Sequence, residues 1–408
     1  MKRVFATVLA VLPCLSVHAQ PWDMERCLGY ALTHNPEVAI RQSLAEQSKS
    51  RFVAECLNVL PVFSATTYDK LNAFSASGEL TLFHGFEKHH LRHMAKCEYD
   101  ISVLEILGIK EDITVKTIEA YLHLAQSHQQ LEYAKAGYEA SLNEREKTLM
   151  LVNGGTQPMS ALMQVEAQLA SDRSAMVEAE CAVKSRRMEL CQVMDIPYDS
   201  DFSIDLKDMS DTLSPPPQYP VQMLDVIARN NPRYKEALVN VEHRKANYLK
   251  SISELFPVFS LTADYSSPFI RSKGAEIKSV GLRLSVPVLS SWQLGPRIRE
   301  AKQQRRQAEV ESYSTLRNLQ TAIESVFIES SNSYSKSMAA QENVRALEES
   351  LRINRLKYEQ GMITATDYTL AKSEYDKARS SFLNAKWQHI FQLKIIDYYV
   401  SEYGETEE

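Results

Sequence analysis

His84, His89, His90 and His93 crowd one short stretch, and His89 and His93 stand four positions apart. On a helix that spacing puts two imidazoles on one face, as a metal site requires. The zinc-protease form of the motif also needs Glu at position 90, where His90 stands instead. The stretch carries Lys and Arg as well, so it reads as a polar junction between elements, and no metal is assigned. The chain has no G-x-S-x-G, no P-loop and no G-x-G-x-x-G on a strand–helix unit, and no carboxylate pair can be placed in a cleft. Catalytic residues and cofactors are therefore not assigned, and the chain is not read as an enzyme. Cys27, Cys56, Cys97, Cys181 and Cys191 are odd in number and lack C-x-x-C spacing, so they supply neither a disulfide framework nor a zinc motif. They read as small buried hydrophobes, with a bridge between two of them left open.

The elements that must position any site are long helices. The 408 residues include only 12 Gly and 15 Pro, and tight turns and phosphate-cradling loops are built from glycine. No Pro lies between Pro61 and Pro158, and none follows Pro296. An internal Pro costs a helix ~3 kcal/mol, so both stretches are free to be unusually long helices. Hydrophobic residues at 44% and charged residues at 24% supply a large core and exclude disorder. Length alone suggests two or three domains.

Residues 1–19 read as a cleaved export signal. Lys2 and Arg3 form a positive start, Val4 to Leu15 an apolar run, and Val17-His18-Ala19 a cleavage site before Gln20. The residues before Cys14 match a lipidation site poorly, so the mature chain is read as not lipidated. No other stretch is long and apolar enough for a spanning helix, and mean hydropathy is −0.31. The net charge of −6, with no basic stripe, argues against nucleic acid as a partner.

The chain repeats itself. Asn35-Pro36 recurs as Asn231-Pro232, and Leu60-Pro61-Val62-Phe63-Ser64 recurs as Phe256-Pro257-Val258-Phe259-Ser260 at the same offset. Ile118-Glu119 matches Ile323-Glu324 at a longer offset, which implies an insert between Pro257 and Leu289. The spacing predicts a first repeat over 20–195, with a β-hairpin at 62–84 and a long helical hairpin at 87–194. A Pro-rich linker at 196–220 follows. The second repeat covers 221–400, with a β-hairpin at 257–289 and a helical hairpin at 297–398, and an acidic tail ends the chain at 401–408. Gly78 and Gly274 are placed in the β-hairpin turns, Gly85 and Gly295 at strand-to-helix junctions.

In the second repeat Phe259, Leu261, Ala263 and Tyr265 alternate with Ser260, Thr262, Asp264 and Ser266. Val280, Leu282, Leu284 and Val286 alternate with Ser279, Gly281, Arg283 and Ser285. Such period-2 strands bury one face. A soluble sandwich would look similar, but the hydroxyl-rich second face also suits a watery lumen with the apolar face toward lipid. The first repeat is fainter, since Val62 to Leu71 shows little order. From Leu316 through Leu319, Ile323, Val326, Ser330, Ser333, Ser337, Ala340, Val344, Leu347, Leu351 and Asn354 to Tyr358, strict 3-4 spacing marks a coiled-coil seam with a small, polar middle. A helix over 297–360 would be about 96 Å long, with a counterpart over 87–152. Phe83, Phe86 and Trp292 flank the strand–helix junctions and suit either an interfacial aromatic girdle or ordinary packing. A lipid-exposed sheet must close. Four strands cannot close a barrel, so two or more chains must combine.

The duplicated helix–hairpin–helix unit, the Asn-Pro helix starts, the Leu/Phe-Pro-Val-Phe-Ser strand entries and the Tyr358-Glu359-Gln360-Gly361 tip resemble the TolC-like outer-membrane efflux protein family over about residues 22–400. The resemblance implies a mainly α fold with a small β part. It implies a homotrimer with a twelve-stranded β-barrel in the outer membrane, four strands per protomer, and a twelve-helix α-barrel in the periplasm. It also implies docking to a periplasmic adaptor and, through it, to an inner-membrane RND or ABC transporter. The family carries acidic residues shortly after the tip glycine, and Asp367 falls at the first such position. Leu370 stands at the second, and Ile363 where a basic residue is often found. The corresponding position in the first repeat is Met159 or Ser160. Asp367 is thus a gate residue or a helix cap, and both roles can hold. The tips at Asn153, Gly154, Gly155, Tyr358, Gly361 and Met362 match where the family meets its adaptor, although Gly alone proves only a turn. The lipid-facing strand positions are Phe259, Leu261, Tyr265, Val280, Leu282, Leu284 and Val286. Two rival readings are a periplasmic coiled-coil scaffold or adaptor without a barrel, and a metal-dependent periplasmic enzyme.

Overall fold

The computed structural model describes residues 21–68, 73–198, 202–205, 213–217, 221–268, 277–287 and 291–404. The export signal, Cys14, Gly274, Leu289 and the end of the acidic tail lie outside them. The chain runs α1 (Met24–His34), α2 (Pro36–Leu57), β1 (Val62–Tyr68), β2 (Ala73–His84), α3 (Glu87–Asn153) and α4 (Met159–Val193). It then repeats that order as α5 (Val221–Asn230), α6 (Pro232–Ser253), β3 (Val258–Pro268), β4 (Ile277–Ser285), α7 (Ser291–Glu359) and α8 (Ala365–Tyr403). The fold is mainly helical with one four-stranded sheet and an internal two-fold repeat. No helix among the described residues is long and apolar enough to cross a membrane.

The Asn-Pro pairs start helices for a local reason. Asn35 Oδ1 accepts the Glu37 amide at 2.9 Å, Asn231 Oδ1 accepts the Arg233 amide at 2.9 Å, and each Pro takes the first helical position, where its missing N–H costs nothing. The free amide of each Asn ties its cap to the core. Asn35 Nδ2 donates to the Val193 carbonyl at 2.9 Å. Asn231 Nδ2 donates to the buried Glu111 carboxylate at 3.1 Å, which also accepts Tyr403 OH at 3.1 Å. Burial raises the pKa of Glu111 above the usual carboxylate range.

The long helices pack as two hairpins, α3 against α4 and α7 against α8, with α2, α3, α6 and α7 side by side near the sheet. Each seam residue from Leu316 to Tyr358 is buried or half-buried. At its polar middle, Ser330, Ser333 and Ser337 are buried, and the room they leave takes the imidazole of His389, whose Nδ1 is 3.3 Å from Ser333 Oγ. The other ring nitrogen of His389 reaches the Ser214 carbonyl of the linker at 2.8 Å. Two expectations need correcting. α7 begins at Ser291, before Pro296, because a Pro this close to a helix start removes only one backbone bond. Gly78 is not in a turn but inside β2, where the Phe63 ring of β1 covers it; a Cβ there would stand 3.0 Å from that ring. Among the described residues no disulfide forms. Cys27, Cys97 and Cys191 are buried, Cys56 is half-buried and Cys181 is exposed.

Candidate functional site: the sheet and the helical tips

All four strands are antiparallel neighbours in chain order, so β1 and β4 are open edges within one chain. The registers stack Leu80, Leu261 and Leu282 in one row and Phe83, Phe259 and Leu284 in another, with Gly78, Ala263 and Val280 between turns of the same face. The opposite face stacks Ser64, Ser77, Asp264 and Ser279, then Glu79, Thr262 and Gly281, then Thr81, Ser260 and Arg283. A bulge between Thr81 and Phe83 keeps both rows in phase. Val280 and Leu282 are 78% and 77% exposed, Leu284, Val286 and Phe259 are exposed, and Leu261 and Tyr265 are half-buried. An isolated chain thus leaves an apolar sheet face bare.

The sheet meets the helices at Gly85 and Phe86, both at positive φ. A Cβ at Gly85 would come within 2.8 Å of the Ser253 carbonyl, so only glycine fits there. Phe86 packs edge-on against Phe83 at 5.7 Å, while Trp292 is exposed. His84 pairs with Glu87, and His89 and His90 stack edge-on at 5.6 Å. Among the described residues no group of three or more His, Cys, Asp or Glu is placed to hold a metal ion.

At the far end the two tips share one geometry. Gly155 and Gly361 sit at φ +71 and +72. Thr156 N–H bonds the Leu151 carbonyl at 3.0 Å, and Met362 N–H bonds the Lys357 carbonyl at 2.8 Å, the six-to-one closure of a helix C-terminus. Asn153, Gly154, Gly155, Gly361 and Met362 are exposed. Tyr358 is buried, so it shapes the tip from within: its ring stacks on Tyr368 at 5.1 Å, and its hydroxyl donates to Gln157 Oε1 at 3.2 Å. Lys147 and Glu359 join the two hairpins at 2.7 Å, and Glu359 is held below the usual carboxylate range by Lys147 and Arg355. Thr364 caps α8 in a capping box. Asp367 Oδ2 accepts both the Thr364 amide at 3.1 Å and the Thr364 hydroxyl at 2.7 Å. Those bonds hold the exposed Asp367 carboxyl below its usual range. Counted from the paired glycines, the equivalent of Asp367 in the first repeat is Ala161 rather than Met159 or Ser160, because α4 starts after Pro158 without a side-chain cap.

The sequence reading missed the contacts between the hairpins. Lys372 and Lys386 of α8 are buried on the stripe shared with Ala365 and Arg379, and that seven-residue spacing of basic residues on a core face was the available signal.

A family profile described as outer membrane efflux protein matches residues 223–390. No curated protein matches the chain in sequence. Among solved structures, the outer membrane protein VceC of Vibrio cholerae is similar at 14% identity over 94% of this chain and 97% of its own, with a TM-score of 0.77. The outer membrane channel CmeC of Campylobacter jejuni follows at 15% identity, 94% and 87% coverage and a TM-score of 0.74. The open state of the MtrE outer membrane channel of Neisseria gonorrhoeae is similar at 17% identity, 94% and 91% coverage and 0.70. The second repeat thus matches the outer membrane efflux protein profile, and the chain shares the fold of these outer membrane channels over nearly its whole length.

Proposed function

We propose that this chain is the outer-membrane exit duct of a tripartite efflux pump or type I secretion system. It is a passive channel that opens on docking a periplasmic adaptor and an inner-membrane RND or ABC transporter. The observation that carries the reading is the sheet: two open edges, one face of bare Leu, Val and Phe, and an opposite face of hydroxyls and charges. In water the bare face and unpaired edges would be an aggregation hazard. In a membrane they fit a barrel closed by further copies, and three chains would give twelve strands. We read the chain accordingly as an exported homotrimer with its helices in the periplasm, lipid against Phe259, Leu261, Tyr265, Val280, Leu282, Leu284 and Val286, and the adaptor at the exposed tip residues. Asp367 is proposed as a carboxylate ring at the constriction as well as a cap. Detergent dependence and heat-modifiable migration test this: a chain that stays soluble and monomeric without detergent would be the scaffold instead.

A further inference from the structure

Between the two helical hairpins, about two to three turns above the Ala161–Ala365 contact at the tip, lies a knot of largely buried charge. Lys372 Nζ of α8 donates to Asp172 Oδ2 of α4 at 2.6 Å and to Ser141 Oγ of α3 at 2.5 Å. The Ser141 hydroxyl donates to the same Asp172 oxygen, and Gln168 Nε2 donates to the other at 2.8 Å. Asp172 therefore accepts from three donors, one of them the Lys372 cation. One turn along α8, Asp376 has no such set. It shares with Asp172 a cavity of about 120 Å³ that Gln130, Tyr133, Gly137 and Arg379 also line. Facing it are Asp172 from α4, Lys372 and Arg379 from its own helix, and Tyr133 from α3, over whose ring the Arg379 guanidinium lies at 3.6 Å. On α3, Glu144 adds a further carboxylate within reach of Lys372, and α7 brings Glu348 toward the neighbouring Tyr375. Burial first, then the Asp172 charge, pushes the Asp376 carboxyl above its usual range, against the pull of Lys372 and Arg379.

We propose that this knot is a proton-sensitive clasp between the two hairpins, gripping α8 more tightly in mildly acidic solution than at neutral pH. Lys372 bonds Asp172, while the Arg379 guanidinium lies on the Tyr133 ring, so Asp376 faces Asp172 across the cavity without a direct ion pair of its own among the described residues. At neutral pH an ionised Asp376 repels Asp172 across the cavity and loosens α8. As pH falls, Asp376 takes a proton before the ordinary carboxylates do, the repulsion ends, and the Lys372–Asp172 pair is left intact. The clasp forms within one chain, so it stands whether or not the duct reading does. The test labels Val177→Cys on α4 and Leu370→Cys on α8 with nitroxides, in purified full-length chains with Cys56 and Cys181 replaced by Ser. Labelled chains are diluted into unlabelled ones, so that electron–electron double resonance reads the distance within a chain. As pH is stepped down from about 7.5 to about 4.5 the longer-distance component is expected to fall roughly by half or more, and D376N is expected to show the acid distribution throughout that range. D376N qualifies when its circular dichroism matches the parent, and Asp376→Ser takes its place otherwise. A parent without a pH response, a variant that keeps one, or a variant fixed at the neutral distribution overturns the clasp.

Discussion

Replacing Leu282 by Arg separates the membrane reading from the soluble one by magnitude. Leu282 lies within β4, paired with Leu261, which is paired in turn with Leu80, and it is 77% exposed in the single chain. If water covers this face, the substitution removes almost no buried area and changes stability by less than about 0.5 kcal/mol. If hydrocarbon covers it, a cation near mid-depth costs about 2–4 kcal/mol per chain. In a closed barrel of three chains, separated copies add to about 6–12 kcal/mol. Ser279→Arg is the internal control, because Ser279 pairs with Asp264 on the opposite, hydroxyl-bearing face. The assay is reversible urea unfolding of protein folded into phosphatidylcholine vesicles, with the fraction of oligomer surviving unheated SDS as a second readout. Leu282→Arg should lower both sharply while Ser279→Arg leaves both near the parent. Equal effects from the two substitutions would refute the assignment of faces and, with it, the barrel.

Asp367→Ala should fray the start of α8, read as faster amide exchange over residues 364–368, while Asp367→Asn keeps the acceptor for Thr364 and holds the turn. The lowered carboxyl pKa means the ionised cap is present at neutral pH and is lost only as pH falls through that lowered value. If the carboxylate also forms a ring at the constriction, both variants should raise single-channel conductance or weaken block by multivalent cations in planar bilayers; no change in either removes Asp367 from the gate. Tyr358→Phe keeps the stack on Tyr368 and loses the bond to Gln157, so thermal unfolding should show a loss of about 1 kcal/mol. Ser330→Ala should stabilise by about 0.5–1 kcal/mol, because the Ser330 hydroxyl is buried with no partner among the described residues and Ala suits a helix interior better; a loss of that size would show a partner in the assembled state.

Most of the fold was legible because it rests on patterns that local physics enforces. The Asn-Pro caps, the alternation on β3 and β4 and the 3-4 spacing of α7 each specify one element without help from the rest of the chain. The first β-hairpin was hard to read because its apolar face is completed from two strands. Phe63 of β1 supplies the ring that covers Gly78 of β2, so neither strand alternates cleanly alone. The tip glycines could be read as turns, but the burial of Tyr358 could not, because it depends on Tyr368 and Gln157 arriving from elements that follow and precede it. Lys372 escaped for the same reason. A lysine on a core stripe reads as an error until Asp172 and Ser141 are brought to it from the other hairpin.

The two repeats agree in whatever sets the backbone and differ in whatever carries charge. Both tips keep a glycine at positive φ with the same closing bonds, and both medium helices keep the Asn cap and its Pro. The capping box at Thr364 and Asp367, the buried Lys372 and the serine seam that admits His389 all belong to the second hairpin, and the matching α4 starts at Pro158 with Ala161 in place of the acid. A ring built from copies of this chain would therefore alternate tips that carry the acid-capped helix start with tips that lack it. The proposed clasp joins the two, with Lys372 and Asp376 from the second hairpin of each copy set against Asp172 and Ser141 of the first.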